Sequence, residues 1–369
     1  MTDRVTLSII IPVYNGGKYV ARTLDSILSQ PSRDYEIIIV NDGSTDYSRK
    51  IIEEYENQYA VIKLINNSNH GVCYSRNVGI ENANGKYLLF LDQDDILFNG
   101  AYTSELSNRL EKYYCQDIDI FCFRYVKSDD SIQRFYTEPT QKQSGKNDRV
   151  YMVSGLPTHF AIYNEKLFHT NGLRFMESRY IDLDMQLTHL LFYSSEKIVY
   201  DNSVLLYCWV IHHGSEGHSS LNFEKKYYDA IKFWKKTADV HNEKGDIDAK
   251  RYCEDWVCGV YYYFLRGYYK RHISEKPIRA MIGELQIEDI VKDINNVDND
   301  ETRNGLRCYY NHRTKFIICS RVEKYKQNIG LYLVRHIKFV KEKYLKYKYP
   351  LSTRELMEHC KNETNNTEK

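Results

Sequence analysis

Apolar runs in the first hundred residues are short, and each stops at a cluster of turn-forming or acidic residues. Leu7 to Val13 (Leu-Ser-Ile-Ile-Ile-Pro-Val) leads into Asn15-Gly16-Gly17, and Tyr35 to Val40 leads into Asn41-Asp42-Gly43-Ser44-Thr45-Asp46. Runs of this length, bounded by Gly, Asn and Asp, predict buried strands. Between them Tyr19, Val20, Leu24, Ile27 and Leu28 recur at helical spacing, and Ser48, Ile51, Ile52 and Tyr55 resume it after the second run. A third strand is predicted at Val61 to Ile65, a helix near Val72 to Glu81, and a fourth strand from Tyr87 to Leu91. Strands apolar on both faces and joined by helices predict a mostly parallel α/β sheet, which binds ligands at the carboxyl ends of its strands.

The fourth run ends abruptly in Asp92-Gln93-Asp94-Asp95. Carboxylates crowded at a strand end repel one another and resist desolvation, so the arrangement favours a hard divalent cation, Mg2+ or Mn2+. Such an ion keeps positions for phosphate oxygens, which makes a nucleotide diphosphate the first ligand to consider. The plain structural alternative is that Asp94 and Asp95 cap the next segment.

Four segments in register carry a resemblance: Ile11-Pro12-Val13-Tyr14-Asn15, Val40 to Asp46, Gly71 to Asn77 ending Ser75-Arg76-Asn77, and the strand ending Asp92-Gln93-Asp94-Asp95. Together they resemble the inverting family 2 glycosyltransferases of GT-A fold, of the bacterial surface-polysaccharide type. The resemblance is dense over residues 5 to 100, looser to about 220 and absent beyond. It implies that Pro12 and Tyr14 form the floor under the nucleobase, that Asp42 bonds the base or ribose, and that Arg76 fixes the nucleotide side of the pocket. Asp92 is expected near the ribose and Asp94 as the metal ligand, with Asp92 and Asp95 as further candidates. An Asx turn at Asp42 and a solvated Arg76 are the structural alternatives.

Inverting transfer also needs a general base. In Tyr180-Ile181-Asp182-Leu183-Asp184 the resemblance implies that Asp182 is that base, with Asp184 as substitute, although Ile181 stands where the family has Glu. Asp182 also reads as an acid favoured by the dipole of a following helix. His212 and His213, in a Gly- and Ser-rich loop, are candidates to complete the metal shell or neutralise the leaving group; an exposed loop without a role is the alternative. The acceptor side falls near Val153 to Asn164. Ala161 and Asn164 stand there in place of the family's Trp and Lys, so the acceptor is not carried over, and His159 reads as structural.

Strands are predicted at Ile198 to Tyr200 and Val204 to Val210, two aromatic-striped helices over 222 to 275, and a loop over 287 to 303. The expected division is a GT-A domain over 1–220, a helical region over 221–360 and a disordered tail over 361–369. The net charge of +1 predicts no general affinity for nucleic acid. Met1 leads almost directly into the first strand, so neither a signal peptide nor a bilayer-length apolar run is expected. Nine scattered cysteines without a Cys-x-x-Cys pair read as the reduced thiols of a cytoplasmic protein. Arg321 to Pro350 carries nine Lys or Arg against two Glu, with Leu333, Ile337, Val340, Tyr344 and Tyr347 on one face. Two readings stay open for that helix: peripheral contact with an anionic inner-membrane leaflet, or packing on its own domain.

The expectation is therefore a metal-dependent inverting glycosyltransferase for polysaccharide biosynthesis. It would move a sugar from a nucleotide sugar, UDP-linked first, to a glycan or lipid-linked glycan. A sugar-nucleotidyltransferase and a non-catalytic nucleotide- or glycan-binding protein remain as other readings.

Overall fold

The computed structural model describes residues 4–129, 132–137, 158–177, 184–211 and 223–312 (271, 273, 294 and 296 excepted), with Phe316 and Ser320. The chain divides into two compact units, Met1–Cys253 and Glu254–Lys369. The first therefore runs on past residue 220.

Its frame follows the apolar runs. Strands β1 (Leu7–Val13), β2 (Tyr35–Asp42), β3 (Ile62–Asn67) and β4 (Tyr87–Phe90) pair in parallel in the order β3-β2-β1-β4. They are connected by α1 (Val20–Leu28), α2 (Ser48–Gln58) and α3 (Val72–Asn82). All seven residues of β1 and all four of β4 are buried, as a strand covered on both faces requires. Helix α3 comes close to β1 because position 79 is glycine; a Cβ there would lie 2.3 Å from Ile10 Cγ2.

Beyond β4 the sheet turns mixed. It adds β5 (Ile96–Leu97), β6 (Ile120–Asp129), β7 (Ile132–Thr137), β8 (Ala161–Asn164) and β9 (Ile198–Ile211), with α4 (Ser104–Cys115) between β5 and β6. The full order is β3-β2-β1-β4-β8-β6-β9-β5, with β7 on β6. Strand β8 is antiparallel to β4 and β6, whereas β9 runs parallel to β6 and antiparallel to β5. The two strands predicted between 198 and 210 are one. The register slips by the irregularity opposite Phe123 to Tyr125, and Asp201 Oδ1 takes the Ser203 N–H at 2.9 Å, so the chain bulges without leaving the sheet.

The predicted helices over 222 to 275 are Phe223–Glu243 and Ile247–Tyr269. In the second unit Val257, Tyr261, Phe264 and Tyr268 are buried, as are Ile278, Met281, Leu285 and Leu306 of the helices Lys276–Leu285 and Asp300–Asn311. The segment 287 to 303 is not simply a loop. It holds the helix Glu288–Lys292, anchored by buried Ile287 and Val291, and Asn299 caps the helix Asp300–Asn311 by accepting the Thr302 N–H at 2.9 Å. Residues 321–350 and 361–369 lie outside the described residues. Among the described residues no helix is long and apolar enough to cross a membrane.

Candidate active site

The carboxyl ends of β2 and β4 flank that of β1 because the strands are parallel and in register, with Val13 opposite Asn41 and Ile10 opposite Phe90. The polar clusters that end these strands bond to one another. Asn15, in the left-handed region at φ 49°, accepts the Thr45 N–H at 2.8 Å and donates its own N–H to Ser44 Oγ at 3.0 Å. Gln93 clasps the backbone of Tyr14 on both sides, accepting its N–H at 2.9 Å and donating to its carbonyl at 3.2 Å. The Tyr14 ring stays 41% exposed on this fixed backbone, while Pro12 is buried beside Val40.

Asp42 is buried and turned toward the loop before α3. Its Oδ1 accepts the His70 N–H at 2.9 Å and its Oδ2 the Gly71 N–H at 2.8 Å. Gly71 sits at φ 99°, which a side chain would resist, so the loop and the carboxylate define each other. A carboxylate has about four lone-pair positions, so Asp42 keeps capacity for a ligand.

The acidic motif divides into unlike parts. Asp95 is buried, and both its oxygens are committed inward: Tyr207 Oη donates to Oδ2 at 2.5 Å and the Val210 N–H to Oδ1 at 2.7 Å. Burial, with the neighbouring charges of Asp92 and Asp94, pushes the Asp95 carboxyl well above the usual range. Burial likewise pushes the Tyr207 hydroxyl up, so it stays a donor. The turn is fixed from α1, where the Thr23 hydroxyl donates to the carbonyls of Gln93 (2.8 Å) and Asp95 (2.7 Å) and Arg22 donates to that of Asp94 (2.8 Å).

Asp92 is half-buried and faces Arg76, whose Nη2 donates to its Oδ1 at 2.8 Å. Arg76 is not a solvated helix arginine. It is wholly buried and lies over the Phe175 ring, 5.3 Å from its centre. His159 is the second neighbour, with Nδ1 4.0 Å from Asp92 Oδ2 and its ring stacked on Tyr207. Burial would raise the Asp92 carboxyl, but Arg76 and His159 outweigh it and hold Asp92 below its ordinary value. Asp92 is thus kept ionised, and Asp94 follows it half-buried. Hard carboxylate oxygens such as those of half-buried Asp92 and Asp94 fit Mn2+ or Mg2+, whereas Asp95 is buried.

Sequence reasoning set His159 aside and missed Tyr207, because nothing in the pattern of a strand says which residue reaches another strand's end. Asp182, His212 and His213 lie outside the described residues, and Asp184 opens the helix Asp184–Ser194 with its backbone alone described.

Residues 8–172 match the family model of glycosyl transferase family 2. The glycosyltransferase GlyG of Streptococcus pneumoniae serotype 4 is 30% identical over 222 residues, covering 54% of this chain and 69% of that protein. This chain belongs to glycosyltransferase family 2. It is a glycosyltransferase, which sets the nucleotidyltransferase and non-catalytic readings aside. The chain is also similar to the teichoic acid poly(glycerol phosphate) polymerase of Staphylococcus epidermidis, 31% identical over 179 residues, 44% of this chain and 24% of that protein. The crystal structure of S. aureus TarS 1-349 in complex with UDP-GlcNAc superposes with a TM-score of 0.62 at 20% identity, covering 88% of this chain and 92% of that one. The α/β sheet with its helical carboxyl-terminal region is the GT-A fold that the four motifs of this family 2 chain led one to expect.

Proposed function

We propose that this family 2 enzyme transfers a sugar with inversion from a nucleotide sugar, UDP-linked first, to a hydroxyl of a glycan or lipid-linked glycan. The observation that carries the reading is the division within the acidic motif: Asp95 is spent on Tyr207 and Val210, while Arg76 and His159 keep Asp92 ionised beside Asp94. A UDP-sugar fits the fold that TarS presents in complex with UDP-GlcNAc, and a surface polymer as acceptor fits the match to the teichoic acid polymerase.

Asp94, with Asp92, would hold Mn2+ or Mg2+, and the ion when bound supplies positive charge against the diphosphate. Tyr14 offers a ring for the base to stack on, and Asp42 a fixed acceptor for base or ribose. Asp182 takes the acceptor hydroxyl proton as that oxygen bonds the anomeric carbon and the bond to the diphosphate breaks. The basic stretch over 321–350 would bring the enzyme to an anionic membrane surface where lipid-linked acceptors lie.

Thermal unfolding with UDP-, GDP-, dTDP- and CMP-sugars, each with Mn2+ or chelator, tests the donor half. One nucleotide class should stabilise the enzyme in a metal-dependent way. Asp182→Asn should keep that shift and lose turnover. Turnover by Asp182→Asn removes it as base, and the absence of any shift with every donor overturns the donor site.

A further inference from the structure

Away from the acidic motif, three ligating side chains meet inside the first unit. His189, on the helix Asp184–Ser194, and His241, on the helix Phe223–Glu243, point Nε2 to Nε2 at 3.1 Å. Cys253 places its Sγ 3.7 Å from His189 Nε2, and the three ligand atoms lie within 4.8 Å of one another. All three residues are buried, and Tyr252 and Trp234 pack against the His189 ring, the first stacked and the second edge-on.

We propose that His189, His241 and Cys253 form a buried site for a borderline divalent transition ion, Zn2+ first, that ties these helical segments together. Zinc binds imidazole nitrogen at about 2.0–2.1 Å and thiolate at about 2.3 Å, so tetrahedral ligands stand ~3.3 Å apart for two nitrogens and ~3.6 Å for nitrogen and sulfur. Two of the three separations, 3.1 Å between the Nε2 atoms and 3.7 Å from His189 Nε2 to Cys253 Sγ, match that spacing, and the third lies within 4.8 Å. Imidazole and thiolate select zinc, cobalt or nickel over the Mg2+ or Mn2+ that carboxylates prefer, so the two sites differ in chemistry. On binding, the Cys253 thiol releases its proton to solvent, and the ring that carries hydrogen on Nε2 moves it to Nδ1. The site does not depend on which sugar is transferred.

The test uses the full chain carrying Asp94→Ala, which removes the carboxylate site, loaded with Co2+ or Zn2+ alone and freed of loose metal by gel filtration. A thiolate-to-cobalt charge-transfer band and about one zinc per chain are expected. Both should be lost in Cys253→Ser, whereas signals from exposed Cys115 and half-buried Cys308 would persist. Should Cys253→Ser fail to fold, His189→Gln and His241→Gln replace it, and each must lose the band with the thiol in place. No cobalt–thiolate band in the parent protein, or one unchanged in every folded ligand variant, overturns the proposal.

Discussion

Asp42→Asn separates a ligand-binding role from a structural one. The carboxylate is 3% exposed and holds the His70 and Gly71 N–H groups, one on each oxygen. Asn is the same size and keeps one acceptor, but it turns an amide N–H toward a backbone N–H and removes the charge. The retained bond falls from a charge-assisted value of about 1.5–3 kcal/mol to about 0.5–1.5, and the orphaned N–H costs about 1–3 kcal/mol. The sum is a loss of about 2–4 kcal/mol. In a unit of 253 residues, roughly 2 °C is lost per kcal/mol, so the unfolding temperature should fall by roughly 4–8 °C. Thermal unfolding without ligand, repeated in urea to check that the slope is unchanged, measures it. An Asp42→Asn protein that melts with the wild type while binding donor poorly would refute the clamp and leave Asp42 acting on the ligand alone.

Asp94→Ala should behave oppositely. It removes one of the charges that raise Asp95, so stability without ligand should stay within ~1 kcal/mol of wild type, and the Mn2+-dependent shift with donor should vanish in scanning fluorimetry. Tyr207→Phe leaves an oxygen of buried Asp95 unsatisfied and should cost about 1–3 kcal/mol, read as a lower urea midpoint. Asp34 supplies a pH test. Burial alone would raise its carboxyl, but the Ser107 and Thr6 hydroxyls and the Thr6 N–H outweigh burial and hold it below its ordinary value. A depressed folded value gives stability that is present above the unfolded pKa of about 3.9 and lost as pH falls through the folded one. Asp34→Asn should therefore flatten the acid limb of the stability profile in that window, and an unchanged limb would assign the acid sensitivity elsewhere.

The parallel half of the sheet was legible because its strands are continuous apolar runs, and the polar ends of those runs are what the register brings together. The positions of the donor-side candidates at those polar ends were legible for the same reason, while their roles rest on the family resemblance. In the mixed half only β9 was legible, as two strands. Strand β8 is four residues long, β5 two, and neither carries a period long enough to read. Asp95 and Asp94 look alike in sequence, and only the distant Tyr207 and Val210 make one a sealed structural group. Arg76 reads as an ordinary helix residue until the Phe175 ring and Asp92 enclose it. The His189–His241–Cys253 cluster draws on three helices at spacings that follow no metal-binding motif, so no local pattern announces it.

The bonds that seal Asp95 span 112 and 115 residues of chain. A ribosome adding about 5–20 residues per second delivers Asp95 roughly 6–23 s before Tyr207 and Val210. Strands β1 to β4 can pair in that interval, yet the nascent half then has an acidic cluster without its inner partners and a β4 edge without β8. The acidic end of β4 is therefore completed only once β9 has been made, although β4 itself comes early in the chain. Synthesis that stalls between these points would leave Asp95 without the two bonds that seal it.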